Sequence, residues 1–377
     1  MELNIKNARI VTSSEDFIGS LLVRNGEIAA IDRGQSNVGE DWDGDVLMPG
    51  IVDLHTDNLE KHFYPRPNID WNPRSAAVIH DSYEIAVGIT TIFNSLSIGS
   101  FRASPSRRRD RVALLVENLQ GASESGLLKA DHRIHWRCET TSDYLQEDLP
   151  ELSQFAATSL FSMMDHTPGQ RQYRNVSRHL ANWQATGLSE EECSARLDAH
   201  RERQARNGRP NRVFVAELAK EKSKPLATHD DECVEHIDEA ADLGSTIAEF
   251  PVTIEAAQRS RDRGMTIVMG GPNLMRGQSY SGNVRAADLA DSGLLDAFAS
   301  DYVPRSLLES AIAMTREPHG WTLSRAVSLV TSNPARATGL DDRGEIAVGK
   351  RADLLRVRID GEIPLLREAR VRGARVG

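Results

Sequence analysis

MPGIVDLHTDNLE, running from Met48 to Glu60, is the stretch from which the rest of the 377-residue chain can be ordered. Ile51, Val52 and Leu54 build a short apolar strand that breaks into His55, Thr56 and Asp57. Side chains alternate faces along a strand, so His55 and Asp57 point the same way, roughly 7 Å apart along the backbone. An imidazole and a carboxylate on one face at the C-terminal end of a core strand have the chemistry to share a cation. The same two residues could equally be a hydrogen-bonded pair ending an ordinary strand, so the remainder of the chain has to decide.

Beyond this stretch the pattern is strand, loop, helix, many times over. Apolar runs at 51–55, 89–95, 134–138, 159–164, 225–228, 246–250, 266–269 and 295–300 alternate with helix-like runs, among them 75–87, 107–125, 189–222, 232–242, 254–262 and 286–291. That alternation predicts a parallel sheet covered by helices, and eight units in about 250 residues suit a closed (β/α)8 barrel of the TIM type. A doubly wound sheet is the alternative, but no glycine-rich dinucleotide loop follows an early strand. Before the barrel, LNIKNARIV alternates and SLLVRNGEIAAI reads as two strands joined at Asn25-Gly26, a strong hairpin signal. After Gly339 the β pattern returns in GEIAVGKRADLLRVRID and VRGARV. The two ends are therefore expected to pair into a small β-sandwich domain (1–49 with 340–377), with an α/β barrel (50–339) inserted between them.

Composition narrows the class. The formal net charge of −10 argues against nonspecific nucleic-acid binding, although local arginine clusters leave room for an anionic small molecule. Such clusters are Arg107, Arg108, Arg109 and Arg111, read as a solvated helical face, and Arg171, Arg174 and Arg178. No run approaches the ~20 apolar residues of a membrane span, and MELNIKNARIV lacks a secretory layout. Cys138, Cys193 and Cys233 form no CxxC pair, which suits a reducing cytoplasm.

Barrel enzymes place their chemistry at the C-terminal ends of strands. There the chain offers His55 and Asp57, then Glu139 in RCET, His166 in MMDHTPG, His229 in ATHDD and Asp301 in FASDY. Three histidines and three acids at five strand ends point to a metal centre. Imidazole and carboxylate suit Zn2+ or Mn2+, and a carboxylate bridging two ions allows a site ~3.5–4 Å across that lowers the pKa of a bound water. A further aspartate can orient the resulting hydroxide and accept its proton, and Asp301 is the candidate. Asp165, Asp230 and Asp231 adjoin these ligands out of phase and read as groups that orient ligands or cap loops.

PGIVDLH, the later strand histidines and aspartate, the tail SNPARATGL…GEIAVGKRADLL and the β domain from both termini resemble the amidohydrolase superfamily. More narrowly, HTDNLEKHFYPRP, MMDHTPGQRQY, ATHDD and VMGGPNLMRGQSYSGN resemble the M-protein family of the carbon–phosphorus lyase pathway, over essentially the full chain. The resemblance implies hydrolysis of α-D-ribose 1-methylphosphonate 5-triphosphate to the 5-phosphate and diphosphate, by a metal-bridging hydroxide attacking the α-phosphorus. It also implies two divalent ions, with Zn2+ expected and Mn2+ the alternative. One would lie on His55, Asp57 and Asp301 and the other on His166 and His229, with Glu139 bridging. Asp57 departs from the superfamily's His-x-His, and no lysine ends a middle strand to serve as the usual carboxylated bridge. His166 and His229 fall one strand earlier than the superfamily's pair. Basic and polar candidates for substrate contact are Lys61, His62, Arg66, Arg171, Arg276 and Asn283, while His80 and His179 lie within helical patterns and read as structural. Superfamily relatives are commonly dimers, so a homodimer is expected by analogy. The alternatives are a C–N hydrolase, such as a cyclic amidase or deacetylase, and a barrel that has lost catalysis and serves as a scaffold.

Overall fold

The computed structural model describes residues 2–66, 69–99, 109–279 and 282–377. Arg107 and Arg108 lie outside the described residues. The first strands are β1 (Glu2–Val11), β2 (Asp16–Arg24), β3 (Glu27–Arg33), β4 (Glu40–Asp41) and β5 (Val46–Pro49). Eight strands then follow, separated by helices: β6 (Ile51–Thr56), β7 (Ile89–Ile98), β8 (Asp131–Glu139), β9 (Thr158–Met164), β10 (Leu226–His229), β11 (Ile247–Glu249), β12 (Thr266–Gly270) and β13 (Ala297–Ala299). The chain returns to the first sheet with β14 (Leu354–Asp360), β15 (Ile363–Val371) and β16 (Ala374–Arg375).

Strands β6 to β13 pair in chain order, all parallel, and each coincides with one of the eight apolar runs. Their burial on both faces explains why they read as apolar runs rather than alternating ones. The ring nearly closes where β13 meets β6. An isolated parallel bridge joins Thr56 to Asp301, Asp301 N–H donates to His55 C=O at 2.8 Å, and Asp57 N–H donates to Asp301 C=O at 2.9 Å. Helices within the barrel that were not expected from periodicity include Asn58–Phe63, Leu145–Leu152, Val176–Ala185 and Gly271–Arg276. The first replaces what reads as an exit loop.

The terminal strands form one continuous sheet in the order β16-β15-β14-β5-β1-β2-β3, with β4 beside β1. It curls until β3 reaches Arg351 through an isolated bridge from Glu27. The two layers of the expected sandwich are thus one sheet folded over its own core, which includes Ile5, Ile10, Leu21, Trp42, Ile346 and Leu354.

Arg343 ties the C-terminal segment to the barrel. Its buried guanidinium donates to Thr91 Oγ1 on β7 at 3.0 Å and to Asp131 Oδ2 at the start of β8 at 2.5 Å. Burial works against the charge of Asp131, but Arg133 and Arg343 together hold its carboxyl down to about 2. The folded-state value lies below the unfolded one, so this stability is present above about pH 4 and fades as pH falls toward 2. Arg343→Met is expected to cost ~2 kcal/mol at pH 7, less than for a fully buried pair because the Asp131 side chain is a quarter exposed. Urea denaturation would show the deficit shrinking below pH 4. These contacts sit at the N-terminal face of the barrel, where stability rather than chemistry resides.

Candidate metal centre

Three strand ends around the C-terminal rim share a backbone device. Asp230 after β10, Phe250 after β11 and Asp301 after β13 have φ of 58°, 56° and 55°. This left-handed region is uncommon outside glycine, tolerated by aspartate and costly for phenylalanine. At Asp301 it is held by the two backbone bonds to β6, which bring the Asp301 carboxylate against His55 and Asp57. Ligand atoms of His55, Asp57 and Asp301 all lie within 4.8 Å of one another, and His55 Nε2 is 3.4 Å from Asp57 Oδ1. Pairing of β6 with β7 is irregular between Asp53 and Thr56, a local bulge of the kind that re-aims side chains.

Below this group stands Glu249 on β11, which the reading of strand ends overlooked. Its Oε1 lies 2.8 Å from His55 Nδ1 and its Oε2 lies 2.7 Å from His229 Nδ1. An ionised carboxylate only accepts, so both histidines donate from Nδ1 and keep the Nε2 lone pair for a cation. Burial opposes the charge on His55, yet the Glu249 carboxylate outweighs it and the imidazole rises to about 10; without metal it carries a proton on Nε2 as well, and a bound cation would take that proton's place and free the lone pair. Glu249 is itself held well below the usual carboxylate range; burial would raise it, and His55, together with the hydrogen bond from His229, overcomes that. The two histidine rings stack with centroids 5.7 Å apart. His55 Nε2 is buried and has no hydrogen-bond partner among the described residues. A buried nitrogen lone pair flanked by two carboxylates fits a divalent cation. His135 is also near His55 and Glu249, but its Nδ1 lies 3.0 Å from Leu54 C=O and its Nε2 2.8 Å from Ser162 Oγ. Burial pushes it to about 3, so it is a neutral strut.

The second part of the rim corrects two expectations. Asp230 was expected out of phase, but its left-handed turn brings Oδ2 to 3.3 Å from His229 Nε2, and that oxygen has no hydrogen-bond partner among the described residues. It faces the site as a candidate ligand. Among the described residues, Glu139 is not in the groups that gather ligand atoms around His55. One of its oxygens accepts from Thr141 Oγ1 at 2.7 Å and the other lies 2.6 Å from His166 Nδ1. Placed in this way, Glu139 orients His166 rather than spanning both halves of the site. Burial would raise its carboxyl, but His166 holds it down at about 2. Glu139→Gln is expected to lower the metal content per chain, measured by mass spectrometry, because His166 loses the carboxylate that fixes its tautomer.

Arg137, two residues before Glu139 on β8, was also overlooked. Its Nη1 donates to Asp57 Oδ1 at 2.8 Å, with the side chain only 14% exposed. Burial disfavours its charge, but Asp57 and Asp301 restore it. Of the substrate candidates, Lys61 and Arg276 reach open clefts. Lys61 donates to Asn58 Oδ1 at 2.9 Å and lines a cleft with Arg137 and Asp57. Arg276 and Asn283 line another cleft that reaches Asp301. Arg171 does not face substrate: it is buried in a pair with Asp231 and donates to His229 C=O at 3.3 Å, bracing the end of β10. His62 packs against His80 and Tyr83, and Arg66 is exposed and paired through its backbone with Ile69. Asp165 caps its own loop by accepting from Thr167 N–H at 3.0 Å. His80 is structural, as expected, hydrogen-bonded to Asn94 at 2.7 Å.

A nearly closed parallel barrel with histidines and aspartates at its C-terminal rim is the arrangement that metal-dependent hydrolases use. Residues 189–362 match the model of the amidohydrolase family. The chain is 42% identical to the alpha-D-ribose 1-methylphosphonate 5-triphosphate diphosphatase of Escherichia coli K12, covering 93% of this chain and 94% of that one. It is also 23% identical to the imidazolonepropionase of Deinococcus deserti, over 89% and 84% of the two chains. Among solved structures it is similar to 5-methylcytosine deaminase from Klebsiella pneumoniae (TM-score 0.66, 15% identity, 99% and 98% covered). It is similar too to N-acetyl-D-glucosamine-6-phosphate deacetylase from Mycobacterium smegmatis (TM-score 0.64, 14% identity, 100% of both chains). The chain belongs to the family of the E. coli diphosphatase, within the amidohydrolases, and is a hydrolase.

Proposed function

We propose that this protein hydrolyses α-D-ribose 1-methylphosphonate 5-triphosphate to the 5-phosphate and diphosphate. The reading is carried by one coincidence. A chain 42% identical to that diphosphatase sets a part-buried guanidinium, Arg137, 2.8 Å from a candidate metal ligand, Asp57. Cleaving a phosphoric anhydride spreads negative charge over several phosphoryl oxygens and needs fixed cations, more than cleavage of a cyclic amide does.

We take the cofactor to be two divalent ions, Zn2+ first and Mn2+ second. His55 Nε2, Asp57 and Asp301 would hold one, and His166, His229 and Asp230 the other. Such ions, when bound, supply a lowered pKa for water and charge neutralisation at phosphoryl oxygens. Asp301 accepts the proton of the attacking water. As the water oxygen bonds to the α-phosphorus, the bond to the bridging oxygen of the β-phosphate breaks, and diphosphate departs with the electron pair. Arg137 and Lys61 meet the phosphoryl oxygens. A homodimer in the cytoplasm belongs to the same reading; among the described residues no helix is long and apolar enough to cross a membrane.

Phosphorus NMR of the Zn2+- or Mn2+-loaded protein with this triphosphate tests the proposal. Diphosphate and the 5-phosphate should appear in equal amounts, and chelation should stop their release. Release of inorganic phosphate first, or turnover of cyclic amides alone, would reject it.

A further inference from the structure

We infer that the helical excursion between β9 and β10 forms the receptor for the diphosphate half of the substrate, while the loops after β11 and β12 receive the ribosyl phosphonate. This orientation rests on the triphosphate reading above. It follows from the unlike chemistry of two clefts that meet at Asp301.

The excursion contributes Tyr173, His179, Trp183, Arg196 and His200 to one cleft, whose floor includes Arg137 and His166. The rings form a ladder outward from the candidate metal centre. Centroids are 5.8 Å apart for His166 and Tyr173, 4.6 Å for Tyr173 and His179, and 4.5 Å for His179 and Trp183. The Arg196 guanidinium lies 4.6 Å from the Trp183 ring centroid. A guanidinium stacked on an indole is fixed in plane, leaving its N–H fork to bind phosphate in a bidentate way. Among the described residues, the only acids lining this cleft are Asp57 and Asp301, both assigned to a cation. Two arginines, with N–H donors from His179 and the uncharged His200, against no other acid suit a polyanion. Reading His179 as merely structural therefore misses its place on this wall.

The other cleft is of a different kind. Arg276 is the only basic side chain lining it among the described residues; the amides of Asn273, Gln278 and Asn283 and the apolar Phe250 and Val284 make up much of the rest. Asn283 Oδ1 is buried without a hydrogen-bond partner among the described residues, an acceptor suited to a sugar hydroxyl. Amides and apolar edges fit a ribose, and a single guanidinium fits one phosphonate. With the α-phosphorus beside Asp301, the ligand spans both clefts in one direction.

Product inhibition of the metal-replete enzyme tests the orientation. Arg196 sits on an exposed helical position, so Arg196→Gln should fold. It should weaken inhibition by inorganic diphosphate about tenfold, the size of one charge-assisted hydrogen bond, and raise KM similarly. Inhibition by the ribosyl methylphosphonate 5-phosphate should stay within about twofold, since its contacts lie in the other cleft. Arg276→Gln should do the reverse. Arg196→Lys, which keeps the charge but not the planar fork, should fall between wild type and Arg196→Gln. The opposite pairing of variants with inhibitors, or no effect of Arg196→Gln on diphosphate, would overturn the orientation. Failure of the wild-type enzyme to release diphosphate at all would instead sink the functional reading on which it rests.

Discussion

Asp301→Asn is expected to lower kcat by roughly three orders of magnitude, the middle of the range for losing a general base, while at least one metal ion stays bound. Asparagine tolerates the left-handed backbone that Asp301 adopts, and the bonds linking residue 301 to His55 and Asp57 are made by backbone atoms. The barrel closure is therefore retained, and so are His55 and Asp57 as ligands. What disappears is an acceptor for the proton of the attacking water, because an amide oxygen is far less basic than a carboxylate. KM should move little, since binding uses the basic clefts. Turnover followed by phosphorus NMR, alongside metal content per chain, checks both halves. A variant with near-normal kcat would remove Asp301 from the role of base, and a variant free of metal would make it chiefly a ligand.

Glu249→Gln should weaken metal affinity by about 10- to 100-fold, the usual cost of losing an outer carboxylate partner. The reason is tautomeric. Glu249 accepts from His55 and His229 at once, which leaves both Nε2 atoms available to a cation. Glutamine can accept from one histidine only; its NH2 group faces the other, which must then turn a lone pair at Nδ1 toward it and carry its proton on Nε2. That nitrogen is lost as a ligand. Competition with a metal-binding dye gives the affinity, and thermal unfolding of the metal-free protein separates the effect from misfolding. Unchanged affinity for both ions would show that Glu249 serves packing alone. Glu249→Asp, which keeps the charge on a shorter arm, should lose less than Glu249→Gln if the carboxylate charge is what matters.

Several features missed in reading the strands had a signal. Glu249 is an acid in the short apolar run STIAEF, and a lone buried acid in a parallel strand is costly unless partnered. His135, Arg137 and Glu139 alternate along IHWRCE, the period of one strand face, so Arg137 was as legible as Glu139. Asp230 and Arg171 are of another kind. Asp230 was judged by strand phase, and a single left-handed residue cancels that phase. Arg171 was taken for a substrate ligand because arginine is usually exposed, but Asp231 lies where it can bury the charge as a pair.

By itself the sequence determined the order and number of the barrel strands, the return of the C-terminal tail to the first sheet, and the place of His55, Asp57 and Asp301 at strand ends on one rim. These depend on local pattern and on the rule that chemistry collects at the strand ends of such a barrel. Only the tertiary structure decided how the donors divide the work: Glu249 as the shared base of two histidines, Glu139 as the partner of His166, Arg137 as the part-buried cation beside Asp57, and Arg171 as a brace. Those roles are set by which side chains meet across strands up to about 200 residues apart in the chain. Periodicity says which face a side chain takes, while the curvature of the closed sheet and its left-handed turns set which neighbour it finds there.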